Sequence, residues 1–402
     1  MNDLRSEGNS PLDPRSRPLE NRSAQEVSLA QLSLVFLKLG TIAFGGPAAH
    51  IAMMEQEFVR RRCWLTDSEF LDRLGMANLI PGPSSTEVAI FIGYTKRGWK
   101  GLLVAGCCFI LPAAILVGVI AAVYVRFGAL PQVSGILYGI KPAVIAIILQ
   151  ALWSLGRTAV KSWWLALIGV IAIAMSGAGV SPLAVLALAG IASSVAAWGR
   201  PRGASALAGV SFYRGWGLLL GSVAAVAAVP VTLHRLFLSF LKIGSVVFGS
   251  GYVLLAFLRT EFIQHLHWLT EQQLIDAVAV GQFTPGPVFT TATFIGYVVA
   301  GIPGAAVATV GIFVPGFLLV AMSGPLLPRL RRSAVAVKVL DGVVVGSLAL
   351  MAVVAWQLGR AAIVDWVTLA ILLVSAGLLL RWRINSAWII CGAALAGWLA
   401  RG

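Results

Sequence analysis

Two proline-glycine-proline elements each interrupt a helix and are followed by residues whose side chains can bind an anion. They stand at Pro81-Gly82-Pro83 and Pro285-Gly286-Pro287, and hydroxyl-bearing residues follow each of them. A helix cannot continue through such an element, because an interior proline lacks its N–H donor and costs about 3 kcal/mol. The helix that restarts offers unpaired N–H groups and a positive dipole end, which favour an anion. We expect an anion site here; a simple turn at the surface is the alternative.

The predicted anion site draws on residues at matching places around both elements. Glycines upstream divide an apolar segment into two short pieces, which is typical of a re-entrant helical hairpin. Hydroxyl and amide side chains beside the prolines supply hydrogen-bond donors. The expected substrate-binding residues are Gly45, Gly46, Asn78, Pro81, Gly82, Pro83, Ser84 and Thr86, together with Gly249, Gln282, Thr284, Pro285, Gly286, Pro287 and Thr290.

Two lysines interrupt apolar runs at equivalent positions. Lys38 lies between Leu34 and Phe44, and Lys242 lies in the corresponding later run. A charge at the centre of a membrane-spanning helix costs about 2.5 to 3.5 kcal/mol, so such a lysine needs a partner or a task. We add both lysines to the substrate-binding residues, as cations that attract a dianion. The alternatives are a structural pair with a glutamate, or a side chain that reaches the interface.

Three carboxylates are candidates for proton coupling. Glu57 and Glu261 occupy equivalent positions near loops, where a structural or gating role is the alternative. Glu87 has no acidic counterpart, because Thr290 or Thr291 stands in its place, so it is an asymmetric candidate. A carboxylate embedded in a membrane protein can carry a proton through a transport cycle.

Catalytic and metal-binding constellations are absent from the sequence. His265 and His267 lie two residues apart, but a third ligand is missing. Nucleotide-binding loops, nucleophile elbows and zinc-protease motifs do not occur. We therefore expect no metal, no cofactor and no enzymatic activity.

Composition places these residues in a membrane protein. Of 402 residues, 58% are hydrophobic and 11% are charged, whereas a soluble domain is about a quarter charged. Apolar stretches such as 101–125 and 132–155 are long enough to span a bilayer as helices. Alternating barrel strands are missing, so we predict an all-α polytopic membrane protein. The net charge of +14 is distributed between apolar runs, which indicates basic loops and excludes a nucleic-acid-binding face.

Two homologous halves make up most of the chain. Residues 36–83 match residues 240–287 without a gap, and the match resumes after a one-residue deletion at Gly93-Tyr94 and Gly296-Tyr297. Tryptophan, lysine and glutamate keep their register, which low-complexity similarity would not achieve. We divide the chain into a disordered cytoplasmic tail (residues 1–27), a first repeat (residues 28–200) and a second repeat (residues 205–402).

Basic residues indicate that the two halves have opposite orientations in the membrane. Arg60, Arg61 and Arg62 correspond to Gln264-His265-Leu266, which contains neither lysine nor arginine. Lysine and arginine in short loops mark the cytoplasmic side. Equivalent loops then lie on opposite sides, so we predict an inverted repeat with about 10 to 13 membrane segments, some of them re-entrant or broken.

The combined motifs resemble the chromate ion transporter family in its long, two-domain form. The resemblance rests on Phe36-Leu37-Lys38-Leu39-Gly40, Phe44-Gly45-Gly46-Pro47, Trp64-Leu65-Thr66 and Pro81-Gly82-Pro83, and on their variants in the second repeat. It implies a multi-pass inner-membrane protein that exports chromate, is driven by the proton gradient and confers chromate resistance. The second repeat departs from the pattern at Ser250-Gly251 and at Gln282, so the halves need not be equivalent in function.

The residues themselves leave the transported oxyanion and its direction open. Chromate and sulfate are both tetrahedral dianions, and N–H groups, hydroxyls and one lysine distinguish them poorly. A sulfate or other oxyanion importer or channel is the main alternative, and a membrane enzyme or scaffold is a weaker one. The expected partners are chromate or a similar oxyanion and the lipid bilayer, without nucleic acid, and a homodimer stays open.

Overall fold

The computed structural model describes residues 27–44, 46–128, 130–198, 230–248, 253–382, 384 and 386–401. The regular secondary structure of these residues is entirely helical and comprises fourteen α-helices, so the predicted all-α class is confirmed. Several site residues and the tail lie outside the described residues, namely residues 1–26, Gly45, Gly249 and Ser250-Gly251.

The fourteen helices form two sets of seven, in which short and long helices follow each other in the same order. The first set consists of α1 (Leu29–Ile42), α2 (Gly46–Glu55), α3 (Asp67–Ala77), α4 (Ser84–Phe127), α5 (Pro131–Ala159), α6 (Trp163–Gly177) and α7 (Pro182–Trp198). The second set consists of α8 (Leu233–Val246), α9 (Leu254–Leu258), α10 (Glu271–Phe283), α11 (Thr291–Arg332), α12 (Ala334–Ala362), α13 (Trp366–Trp382) and α14 (Ser386–Arg401).

Each half begins with short helices whose ends the sequence specifies locally. A π-helical turn extends α2 over Gln56–Arg61 and α9 over Arg259–His265. The next helix of each half then starts at an equivalent threonine, Thr66 or Thr270, whose side chain accepts the N–H three residues later within a capping box. These helices are too short to cross the hydrocarbon core, which is about 30 Å thick.

The long helices α4 and α11 fold back on themselves soon after they begin. At Gly98 and Gly301 the backbone has positive φ, 55° and 62°. A Cβ built on Gly93 would meet the carbonyl oxygen of Gly101, although eight residues of a straight helix span about 12 Å. Glycines at equivalent positions of α11 make the same close approach. The first limb of each long helix therefore lies antiparallel to the second.

In each half, the fifth helix packs against the last helix of the other half. α5 packs against α14, and its equivalent α12 packs against α7. Both crossings are tight, because a Cβ on Gly139 would meet the Ala393 carbonyl and a Cβ on Gly342 would meet the Ala189 carbonyl. Reciprocal exchange of this kind is produced by a two-fold rotation. Because the loop equivalent to Arg60, Arg61 and Arg62 lacks lysine and arginine, this exchange fits the predicted inverted repeat.

Four described helical stretches are long and apolar enough to cross a membrane: Ser84–Phe127, Val133–Ala159, Val288–Ser323 and Val335–Ala362. Large apolar side chains are exposed at helical spacing along α4, at Leu111, Ile115 and Val119. Water would not favour such a surface, whereas lipid does. The chain is a multi-pass membrane protein.

Candidate functional site

Each Pro-Gly-Pro element contacts the chain break of the other half. The Gly82 N–H donates to the Val247 carbonyl at 2.7 Å, and the Gly286 N–H donates to the Ala43 carbonyl at 2.9 Å. Ala43 and Val247 directly follow α1 and α8. We call the two Pro-Gly-Pro elements with Ala43 and Val247 the central junction. It joins the two halves at the breaks of their short helices.

In the first copy the restarted helix α4 presents buried polar groups to the central junction. The N–H groups of Thr86 and Glu87 both reach back to the Pro83 carbonyl, at 2.7 and 3.2 Å. Thr86 and Ser85 are buried, and the Thr86 hydroxyl has no hydrogen-bond partner among the described residues. A buried hydroxyl without a partner is costly, so it is available for a ligand. This copy can donate hydrogen bonds to an anion.

In the second copy the equivalent hydroxyls are used internally. Thr290 donates to the Pro287 carbonyl and Thr291 to the Val288 carbonyl, both at 2.8 Å. Thr284 donates to the Val280 carbonyl at 2.9 Å. Threonine hydroxyls often bond back to the preceding turn in this way. The second copy therefore offers fewer free side-chain donors than the first.

Glu87 lies between the first Pro-Gly-Pro element and α11 of the other half. It is fully buried, and neither carboxyl oxygen has a hydrogen-bond partner among the described residues. Its Oε1 occupies the space that a Cβ on Gly82 would fill, and it lies 3.7 Å from the Cβ position of Gly316 in α11. Glycine at position 82, with φ of 136°, thus leaves room for the carboxyl group.

His50 is a buried junction residue that the sequence reasoning missed. Its Nε2 lies 2.9 Å from the Ala43 carbonyl, which also accepts the Gly286 N–H, and its Nδ1 lies 3.3 Å from Ser85 Oγ. These partners assign the tautomer in which Nε2–H donates and Nδ1 accepts from the serine hydroxyl. One signal was readable: the histidine follows the glycine break, whereas the second copy has Leu254 there.

The two predicted lysines lie apart from the buried junction residues. Both side chains are exposed on α1 and α8. Lys242 pairs with Glu261 at 2.8 Å, and Ser239 donates to the same carboxylate at 3.1 Å. Lys38 forms no ion pair within the described ranges. The structural alternative therefore applies to Lys242, and substrate binding by either lysine stays a prediction.

The other predicted residues divide between structural and exposed positions. Glu57 accepts bonds from Arg62 at 2.7 Å and Arg61 at 3.3 Å. Burial acts to raise the pKa of Glu57, but the two arginines outweigh it and hold that pKa below its usual value. Asn78 is exposed at the end of α3, whereas its counterpart Gln282 is buried.

One known protein family matches both halves of the chain. The Chromate transporter family model matches residues 30–194 and 234–398. A chromate transport protein of Cupriavidus metallidurans is 33% identical over 98% of both chains. A probable chromate transport protein of Synechococcus elongatus is 32% identical over 92% of this chain and 95% of the relative.

Shorter relatives correspond to one half of the chain. The uncharacterized transporter YwrA of Bacillus subtilis is 30% identical over 33% of this chain and 74% of its own length. No solved structure matches this chain. The matched repeats and the near full-length relatives establish that this multi-pass membrane protein belongs to the chromate transporter family.

Proposed function

We propose that the protein exports chromate from the cytoplasm across the inner membrane, energised by the proton gradient, and so confers chromate resistance. The family and the names of its relatives support chromate as the substrate. The observation that carries the mechanism is Glu87, a buried carboxyl group without a partner in the described structure, beside the broken helix at the central junction.

The anion would bind at the first Pro-Gly-Pro element. The Thr86 hydroxyl is a donor that suits a tetrahedral dianion, and the positive end of the α4 dipole adds attraction. The second element would contribute less, since the hydroxyls of Thr290 and Thr284 and the Gly286 N–H are already used. Irregular backbone at membrane depth is typical of transporter sites.

Glu87 would link anion binding to a proton. An ionised carboxylate beside a dianion is repelled, and no cation in the described structure pairs with it. The oxyanion and a proton on Glu87 are therefore expected to bind together. One proton moving with chromate leaves one net negative charge to cross the membrane.

The electrical part of the proton gradient would then drive export. Moving one negative charge out of a negatively charged interior yields about 2.3 kcal/mol per 100 mV. A chromate dianion without the proton would yield about twice that, and the accompanying proton lowers the gain while it removes the repulsion at Glu87. The membrane potential favours export in either case, whereas an acidic exterior opposes the step that carries a proton outward.

A second candidate is proton-coupled uptake of sulfate or a related oxyanion. The same co-binding of proton and anion supports it, because N–H and hydroxyl donors recognise any tetrahedral dianion. Direction depends on the balance between membrane potential and pH difference rather than on the site.

Radiolabelled chromate flux into inverted vesicles tests the proposal. We expect chromate uptake to increase with an imposed interior-positive potential. Excess sulfate should inhibit this uptake only weakly. Glu87→Gln should retain potential-driven flux and lose the dependence of flux on pH, while the exposed control Glu55→Gln behaves as the wild type. Flux that responds only to sulfate, or an unchanged pH profile in Glu87→Gln, would contradict the proposal.

A further inference from the structure

A cluster of charged and polar groups joins the halves around the buried carboxylate of Asp276. Lys141 Nζ of α5 lies 3.3 Å from Asp276 Oδ1 of α10, and the Tyr124 hydroxyl of α4 donates to Asp276 Oδ2 at 2.9 Å. Lys141 also donates to Gln272 Oε1 at 2.6 Å. The side chains of Lys141 and Asp276 are only 17% and 4% exposed. We call these four residues the interface cluster.

The interface cluster lies beside the hairpin of the second Pro-Gly-Pro element. Asp276 stands on α10, about 10 Å along the helix from its end at Phe283. The Tyr124 ring packs 5.1 Å from Phe294 of α11, which follows the same element. The cluster thus contacts both helices that flank the element, and Asp276 precedes Pro285 by about two and a half helical turns of chain.

The other half of the protein has no equivalent of this ion pair. The position equivalent to Lys141 in α12 is Val344, so the other half packs without a lysine there. Ionisable residues inside a membrane protein are rare and mark ion pathways more often than they stabilise the fold. A buried ion pair is also weak as a stabilising device, because desolvation offsets the attraction.

The bonding of Lys141 leaves it able to exchange its partner. An ammonium group carries three donors, and the described contacts of this one are Gln272 and Asp276. The 3.3 Å separation from Asp276 is longer than a close charge-assisted bond of about 2.8 Å. Tyr124 holds the other carboxyl oxygen, so Asp276 remains in place when Lys141 turns away.

A polar cavity lies at the same end of α10. It has a volume of about 110 Å³, and its lining includes Arg259, Gln264 and Gln357. Arg259 pairs with Glu271, the residue next to Gln272, in the first turn of α10. Gln264 belongs to the second-half loop without lysine or arginine, which the charge pattern places on the external side. The cavity is therefore linked to the first turn of α10, which carries Gln272, through the pair of Arg259 with Glu271.

We infer that Lys141 is a second oxyanion-binding residue, and that Asp276 is a resident counter-ion which the oxyanion replaces. The inference rests on the proposed function and adds a second oxyanion-binding site on the external side of the central junction. When Asp276 takes a proton from the aqueous phase, its charge is lost and Lys141 binds the dianion. When the oxyanion leaves, the proton leaves and the pair re-forms. The titratable groups that face Asp276 in the described structure are Lys141 from α5 and Tyr124 from α4.

Oxyanion binding and exchange by the purified full-length chain test this inference. Radiolabelled chromate and sulfate are used as probes, at alkaline pH where chromate is a dianion. Lys141→Met should weaken binding and exchange at least about tenfold, since a buried charged contact is lost. Asp276→Asn should still bind the oxyanion, but without the proton uptake that accompanies binding to the wild type.

The double variant separates binding from structure. Lys141→Met alone leaves Asp276 buried without its cation and can reduce folded protein, whereas Lys141→Met with Asp276→Asn removes both charges. If Lys141 binds the anion, the double variant folds and remains inactive. The matched control is Lys161→Met with Asp341→Asn, which removes a pair between an exposed lysine and a mostly buried aspartate that also joins the halves at 2.9 Å.

Two outcomes overturn the inference. Wild-type binding and flux per folded molecule in the double variant would make the pair purely structural, and so would unchanged binding in Lys141→Met. Failure of the proposed substrate is distinguishable, because wild-type protein would then bind sulfate and not chromate. In that case loss of sulfate binding in the double variant upholds the role of Lys141, and retention overturns it.

Discussion

Replacing Gly286 by alanine should disrupt the central junction more than the backbone strain alone predicts. Gly286 has a φ of 89°, and an added Cβ would lie 2.6 Å from the Cβ of Ala113 in α4. Positive φ costs a non-glycine residue about 1 to 2 kcal/mol. Overpacking adds about 1 to 3 kcal/mol, because the contact is with a short side chain on a packed helix. The expected total is about 2 to 5 kcal/mol.

Gly179 provides a matched control for this substitution. Its φ is 84°, and a Cβ there meets nothing within 4 Å. Gly179→Ala should therefore carry the strain without the clash and cost about 1 to 2 kcal/mol. Adding Ala113→Gly to Gly286→Ala removes the clash and should restore stability to within about 1 kcal/mol of the control, because glycine inside α4 carries its own cost of about 1 kcal/mol.

Thermal unfolding of the purified protein in detergent measures the stability of these variants. Chromate flux normalised to folded protein measures whether the central junction still supports transport. Gly286→Ala should unfold at the lowest temperature and should lose flux, because the clash pulls its N–H from the Ala43 carbonyl. Equal unfolding temperatures for Gly286→Ala and Gly179→Ala, with equal flux, would refute a tightly packed junction.

Three further outcomes are expected. His50→Leu, which copies the second half, should cost about 1 to 3 kcal/mol in thermal unfolding and lower chromate flux, because Ser85 loses its partner; unchanged stability and flux would contradict this. Glu261 is mostly buried beside Lys242, so Lys242→Met should lower membrane abundance, and adding Glu261→Gln should restore it on immunoblots. The hydrogen bond from Tyr138 lowers the pKa of Asp365, so the stability it contributes is present above the unfolded pKa and is lost as pH falls below about 4; unfolding temperatures of Asp365→Asn should lack this acid-side decline.

The sequence was sufficient for the features that depend on local rules. The Pro-Gly-Pro elements end and restart helices because proline and glycine act within a few residues. The repeat was identified from the ungapped match between the two halves. The threonines at positions 66 and 270 begin helices by a short-range capping box. Glu87 was chosen as a candidate because its counterpart is a threonine, and its role in proton coupling stays a prediction. These predictions needed no knowledge of which helices meet.

The features that the sequence did not reveal depend on contacts between distant segments. Lys141 and Asp276 come together only because α5 of one half meets α10 of the other. Lys38 and Lys242 were favoured as anion-binding cations for their apolar surroundings, but hydropathy does not tell which side of a short helix faces the junction. The close antiparallel approach of the two limbs of α4 was not predicted, because it depends on the contact between Gly93 and Gly101 across the turn.

The shared construction of the junction explains why the halves differ in their side chains. Each Pro-Gly-Pro element is held by a backbone carbonyl of the other half, so both copies must keep the break, whereas the side chains around it can change. The first copy has Glu87 and His50, and the second has Thr290 and Leu254. A second unpartnered carboxylate would add a further cost of burial. One proton for each oxyanion needs only one such group, so a threonine that bonds to its own backbone is the better residue in the second copy.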